Sequence, residues 1–221
     1  MRDLTWYDLL ILVKAAEWTL LLSIIAFAGG GILGGLIALL RTARWAPLRF
    51  IGAAYIQLLQ GTPLLIQLFI WFFGLSLIGT DLPPILAASA ALTLNSSSFF
   101  AEIWRGSIEA IPRAQWEAAE SLGLSRLQQI AHVITPQAVR LALAPTTGFM
   151  VQIIKNTSLA ALIGFVELMR QAQVITNITF SPFPVYMTIA AVYFVICFPL
   201  SLLGRYFEGR FHVGRSNFGG A

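Results

Sequence analysis

The chain has 221 residues, of which 57% are hydrophobic and 11% charged, with a formal net charge of +4. That balance lies outside the range of soluble globular domains, and the apolar residues fall in runs of about 20, the length a helix needs to cross a bilayer. An all-α membrane protein with a single membrane domain over residues 1–221 is expected. The one cysteine, Cys197, lies in an apolar run. It excludes an intramolecular disulfide or a cysteine-based metal cluster and is expected to serve packing.

In chain order, residues 1–17 carry Trp6, Tyr7, Leu9, Leu10 and Val13 in an amphipathic pattern. This predicts a short helix in the outer interface; a cleavable signal peptide does not fit, because a basic n-region and a small-residue cleavage site are missing. Spans are expected over about 18–40, 51–78, 84–104 and 185–204. A fifth, over about 138–163, is interrupted by Pro145, Thr146, Thr147, Gln152, Lys155, Asn156, Thr157 and Ser158, a pattern suited to lining something polar. Arg41, Arg44 and Arg49, then Arg105, Arg113, Arg126 and Arg140, then Arg205, Arg210 and Arg215 fall in alternate connecting segments. The other segments carry only Arg170, and Arg2 and Lys14 are balanced by Asp3, Asp8 and Glu17. Positive residues stay on the cytoplasmic side, so the expectation is five spans with the N-terminus outside and a cytoplasmic tail over 205–221. The same rule accounts for the positive charge, and no nucleic-acid partner is needed.

The segment 105–137 is long for a connection in a compact bundle and carries signals of its own structure. Pro112 can start a helix, Gln115 to Leu122 contain no breaker, and Gly123 suits a left-handed cap. Ser125 with Gln128 has the form of a capping box, and Pro136 is expected to end the second helix. Two short helices joined at a glycine elbow are therefore predicted. On the first, Ala118, Ala119 and Leu122 form a small apolar ridge beside Glu117, Glu120 and Ser121, suited either to a protein groove or to the membrane surface.

Here Gln115-Trp116-Glu117-Ala118-Ala119, with Leu122-Gly123-Leu124 and Ile134-Thr135-Pro136-Gln137-Ala138-Val139-Arg140, resembles the EAA loop of ABC importer permeases. Gln60-Gly61-Thr62-Pro63-Leu64-Leu65-Ile66-Gln67-Leu68-Phe69, Ala101-Glu102-Ile103-Trp104-Arg105-Gly106 and Lys155-Asn156-Thr157-Ser158-Leu159 resemble the polar amino-acid uptake subfamily. The likeness runs from about Leu20 to Glu208. It implies a type I permease fold in a bacterial cytoplasmic (inner) membrane, crossing it several times. It also implies a second permease copy or homologue, an ABC ATPase dimer that binds ATP and Mg, an external substrate-binding protein and an amino-acid substrate. Glu117, Ala118, Ala119, Glu120, Leu122 and Gly123 would then dock the ATPase. The chain itself is expected to be no enzyme and to hold no cofactor, because no phosphate loop of the form GxxxxGK[ST] occurs and its only lysines are Lys14 and Lys155.

Polar residues at membrane depth supply the candidate substrate path. Lys155 costs about 2.5–3.5 kcal/mol near a span centre. It lines a path with Asn156, Thr157 and Ser158, or snorkels from one end of a tilted span. Asn95, Ser96, Ser97 and Ser98 face a cavity or bond neighbouring helices, and Gln57, Gln60 and Gln67 pose the same choice. Thr62 and Pro63 sit in a break that either unwinds the helix at a transport site or only kinks it. Gly29-Gly30-Gly31 with Gly34-Gly35 gives overlapping GxxxG spacings for close helix packing. Glu102 and Arg105 suit an interfacial ion pair. His132 and His212 lack partners for a metal site. Against the family pattern, Gly148 stands where relatives often carry an amide, Phe149 where they are polar or acidic, and Asn156 where many have aspartate. These departures imply a neutral or acidic polar amino acid. An opine, a sulfur amino acid, an organic amine or a passive channel are the alternatives.

Overall fold

The computed structural model describes residues 5–43 and 45–211; Arg2, Asp3, Arg44, His212 and Arg215, used above, lie outside them. The described residues form helices α1 (Trp6–Thr42), α2 (Ala46–Gln60), α3 (Leu64–Leu77), α4 (Pro84–Glu109), α5 (Arg113–Ser121), α6 (Arg126–Ile163), α7 (Leu168–Thr179) and α8 (Pro182–Phe211). Within α6 a wide π-type turn, Gln129–Ile134, leads into regular helix over Thr135–Asn156 and a tight 3-10 end over Thr157–Ile163.

α1 departs from the expected short interfacial helix followed by a separate span. Asp8 Oδ2 accepts from the Thr5 amide at 2.9 Å and the Thr5 hydroxyl at 2.7 Å, starting the helix. Nothing between there and Gly29 removes an amide hydrogen or frees the backbone, so the helix runs on. Of the amphipathic pattern, Trp6, Tyr7, Leu10 and Val13 stay exposed, while on the inward face Leu12 packs with Leu168, Ala172, Ile175, Val185 and Ile189 of α7 and α8.

By length and apolarity α1 and α8 each suffice to cross a membrane. The expected span over 51–78 is instead the pair α2–α3, bent by 95°, and α6 bends by 50° into α7. Hydropathy registers the apolar run but not the turn within it.

The core forms where α1 lies along α4. A Cβ built on Gly30 would fall 2.8 Å from Ser96 Cβ, and one on Gly34 would fall 2.7 Å from Phe100 Cβ and 2.9 Å from the Ser97 carbonyl oxygen. The glycine stripe therefore lets the two backbones approach, as its spacing predicts. Phe27 then meets the buried Phe100 edge-on at 5.4 Å, over Leu22, Ala26, Ala88 and Leu92. Cys197 is buried with Val151 and Ile154, sealing α8 against α6. A prediction follows from the spacing. Gly34→Ala should lower the apparent unfolding midpoint of the detergent-purified protein by several degrees, since overpacking costs about 1–3 kcal/mol. Gly31→Ala, whose methyl meets only the Trp104 ring at 3.7 Å, should leave it unchanged.

Candidate functional site

The loop between α4 and the start of regular α6 forms an elbow. α5 ends in a paired cap: the Gly123 amide donates to the Glu120 carbonyl at 2.9 Å and the Leu124 amide to the Ala119 carbonyl at 3.2 Å, with Gly123 at φ +72°. That conformation is costly for any residue with a Cβ, which explains the glycine. On the far side Ser125 and Gln128 form the predicted capping box. The Arg126 guanidinium lies 4.0 Å from the centre of the Trp116 ring, closing the elbow across its two arms. Beneath it, Ile111, Ile134 and Ala138 make a small core with Trp116 and Val133.

Two expectations for this loop change. The second arm is not a separate short helix, because Pro136 does not stop it. The proline falls in the first turn of regular helix, immediately after the π-type turn, where a missing amide hydrogen is tolerated. The arm is thus the start of α6. Ala119 is buried under the elbow, whereas Glu117, Ala118, Glu120, Ser121, Leu122 and Gly123 are exposed, as is Leu127.

The candidate path residues separate by burial. Gln67 and Asn95 are buried, and they hold the α2–α3 break together. Pro63 ends the α2 hydrogen-bond ladder; the Gln67 amide nitrogen then donates to the carbonyls of Leu59 at 2.7 Å and Thr62 at 3.1 Å, and Thr62 Oγ1 donates to Leu58 at 2.9 Å. Asn95 Nδ2 reaches Gln67 Oε1 at 3.4 Å. Gln60 donates to the Ser98 carbonyl at 3.2 Å, and Tyr55 and Ser97 hydroxyls meet at 2.6 Å. Ser96 packs on Gly30. In this chain these polar groups satisfy backbone and join α1, α2, α3 and α4.

Lys155, Asn156 and Ser158 differ in position. Lys155 is exposed, Asn156 and Ser158 are half-buried, and Thr157 is turned fully inward. One turn earlier the exposed Gln152 donates to Asn156 Oδ1 at 3.0 Å. The same face of α6, carrying Gln137, Leu141, Pro145 and Gly148, borders a cavity of about 1200 Å³. Its other walls come from α4 and α8, including Glu102, Ser201, Arg205 and Glu208. Arg105 bonds both Glu102 and Glu109, the predicted ion pair with one further carboxylate. Gly148 opens onto free space, and Phe149 stacks on Phe99 at 4.8 Å instead of facing the cavity. Sequence marks Gln152 only as one of the polar interruptions of this span, and the cavity not at all. Their helical spacing, from Gln137 through Leu141, Gly148 and Gln152 to Lys155, is the signal that marks them.

A bent, glycine-packed membrane bundle with a structured two-armed loop and a polar helix face defines a transport subunit. Residues 30–213 match the family described as binding-protein-dependent transport system inner membrane component, and the chain belongs to that family. It is 37% identical to the L-cystine transport system permease protein TcyB of Bacillus subtilis, covering 90% of this chain and 86% of that one. It is 33% identical to the glutamine transport system permease protein GlnP of Escherichia coli, covering 94% and 96%. A solved structure of an amino acid ABC transporter with histidines superposes with a TM-score of 0.87, at 33% identity over 95% of this chain and 100% of that one. The MetNI methionine ABC transporter in an inward facing conformation, at 19% identity and a TM-score of 0.77, shares the fold.

The helix break makes its own prediction. Gln67→Leu leaves the Leu59 and Thr62 carbonyls without their side-chain donor, at about 1–3 kcal/mol for each unsatisfied buried group. The purified protein should lose several degrees of thermal stability. Pro63→Ala, which restores an amide hydrogen at the break, should not.

Proposed function

We propose that this chain is the permease of an ATP-driven amino-acid importer. The observation that carries the reading is the continuity of α6: one helix starts at the exposed elbow and carries the polar face from Gln137 to Lys155. A push at the elbow is delivered to the path without an intervening loop. In the proposed arrangement the membrane is crossed five times, by α1, the bent α2–α3 pair, α4, α6 and α8, with the N-terminus outside and the tail in the cytoplasm. The arginine distribution supports that orientation. Two copies, or this chain and a homologue, enclose the path. The elbow sits in a groove of an ATPase subunit holding ATP and Mg, and an external binding protein delivers the substrate.

The motion is alternating access: closure of the ATPase dimer draws the elbows together and opens the path outward, and hydrolysis returns it inward. The Gln152–Asn156 amide pair and Lys155 give the path hydrogen-bonding groups and one positive charge, which suits the carboxylate of a zwitterion with a neutral polar side chain. The glutamine relative supports that class, and the cystine relative supports the second reading, a sulfur amino acid. Thr62, Pro63, Gln67, Asn95, Ser96 and Ser97 act in this scheme as scaffold.

Two outcomes test the reading. In the assembled transporter, Gly123→Pro is incompatible with φ +72° and deletes the amide bonded to Glu120, and Glu117→Arg reverses the charge of the elbow. Both should abolish ATP-dependent uptake while membrane insertion stays normal; wild-type uptake by both would end the docking assignment. Lys155→Ala should reduce uptake at least about tenfold if the cation contacts the substrate carboxylate. Ligand binding by the cognate external protein identifies the substrate, and arginine as sole ligand would overturn the neutral assignment. Uptake that continues without ATP would favour the channel.

A further inference from the structure

Glu167 lies in the short bend between α6 and α7 and is completely buried. Among the described residues no lysine, arginine or histidine forms an ion pair with it. Its carboxyl is held by neutral donors from three helices. Thr19 Oγ1 of α1 and the Tyr193 hydroxyl of α8 each donate to Oε2 at 3.2 Å, and the Arg170 amide of α7 donates to Oε1 at 2.9 Å. Thr19 Oγ1 in turn accepts the Leu168 amide at 3.2 Å. A buried carboxylate with no counter-charge is costly, so an arrangement that satisfies it so fully fixes all of its partners.

The hub also reaches the proposed path. Tyr193 packs against the buried cluster of Val151, Ile154 and Cys197, and the fully buried Thr157 donates its hydroxyl to the Ile154 carbonyl at 2.7 Å. Thr157 begins the 3-10 end of α6, where residues three apart share a face; Thr157, Ala160 and Ile163 all point inward. With Thr157 pinned on that side, Lys155 and Ser158 are left on the opposite, accessible side. If the turn rotated by one residue, Lys155 would be withdrawn and a different group presented.

We propose that Glu167 is a positioning residue: through Tyr193, Thr19 and the α7 amides it fixes the rotation of the Lys155–Ser158 turn and so sets which side chains face the path. The inference rests on the reading of that face as the path. Glu167 touches no substrate; it acts through the turn.

The test uses the full transporter, permease with its ATPase subunits and binding protein, in proteoliposomes. A Cys197→Ala background carries a reporter, Ser158→Cys, whose reaction with a water-soluble maleimide reads the turn. A second reporter, Thr80→Cys in the exposed connection between α3 and α4, reads the rest of the protein. Glu167→Leu should change the Ser158→Cys labelling rate about fivefold or more and lower maximal uptake about tenfold, with Thr80→Cys labelling unchanged. Glu167→Gln keeps an acceptor oxygen and the shape, and should restore both to within about twofold. The Thr19→Val/Tyr193→Phe pair keeps the carboxyl and removes two donors. It should reproduce the labelling change and decides the matter where Glu167→Leu does not assemble. Unchanged Ser158→Cys labelling, or an equal change at both reporters, would overturn the assignment. Labelling reads the turn alone, so it answers even where Lys155→Ala transports normally and the path reading fails.

Discussion

An unpaired backbone amide or carbonyl in hydrocarbon costs several kcal/mol, and that constraint organises every irregular point of this chain. Where Pro63 interrupts the helix, Gln67 and Thr62 cover the freed carbonyls, and Asn95 holds Gln67 in place. Where α6 turns into α7, the Glu167 carboxyl accepts the Arg170 amide of the new helix and Thr19 accepts the Leu168 amide. Where α5 must reverse, Gly123 adopts a left-handed conformation so that two amides cap its end. The first two breaks are held by buried polar side chains, Gln67 with Asn95 and Glu167, and the third by backbone amides alone, so the geometry of all three is fixed.

Rigid breaks leave α6 as an intact lever. Pro136 would end it if the preceding turn were regular, since the ring clashes with a carbonyl four residues back. The widened turn over Gln129–Ile134 moves the proline to the start of a new hydrogen-bond ladder, and the helix axis continues. Pro145 falls where α6 borders the cavity, so the carbonyl it leaves without an amide partner lies at a wall with room for water. Both prolines are thus accommodated without a loop between the elbow and the accessible face of α6.

The parts legible in the sequence are those whose signals are local. Gly123, the Ser125–Gln128 box and the Gly30–Gly34 stripe announce themselves within a few residues and appear where expected. The parts not legible depend on a partner far along the chain. The Gly61-Thr62-Pro63 motif marks a break but not a 95° bend, whose stability depends on Gln67 and on Asn95 in another helix. Ala119 reads as part of an apolar ridge; it turns inward because the cap brings Leu124 back over it. At the α1 start Trp6, Tyr7, Leu10 and Val13 are exposed, and only the packing of α7 and α8 reveals that Leu12, on the other face, is covered by protein.

The same limit explains why polarity alone could not separate buried scaffold from accessible groups. Asn95, the serines beside it and Gln67 are as polar as Lys155 and Gln152, and both groups interrupt apolar runs. Burial divides them: the first group spends its hydrogen bonds on backbone and neighbouring helices, whereas Gln152, Lys155 and part of Asn156 retain unspent capacity on an accessible face. Under the proposed function that face carries one cation and two amides but no carboxylate. A cationic side chain would meet Lys155 with no opposing charge on this helix face, which disfavours it by like-charge repulsion in a poorly screened setting. Under that reading this helix face selects against positive side chains, Glu102 and Glu208 standing on the facing walls, and the choice among neutral ones falls to shape and to the protein that delivers the substrate.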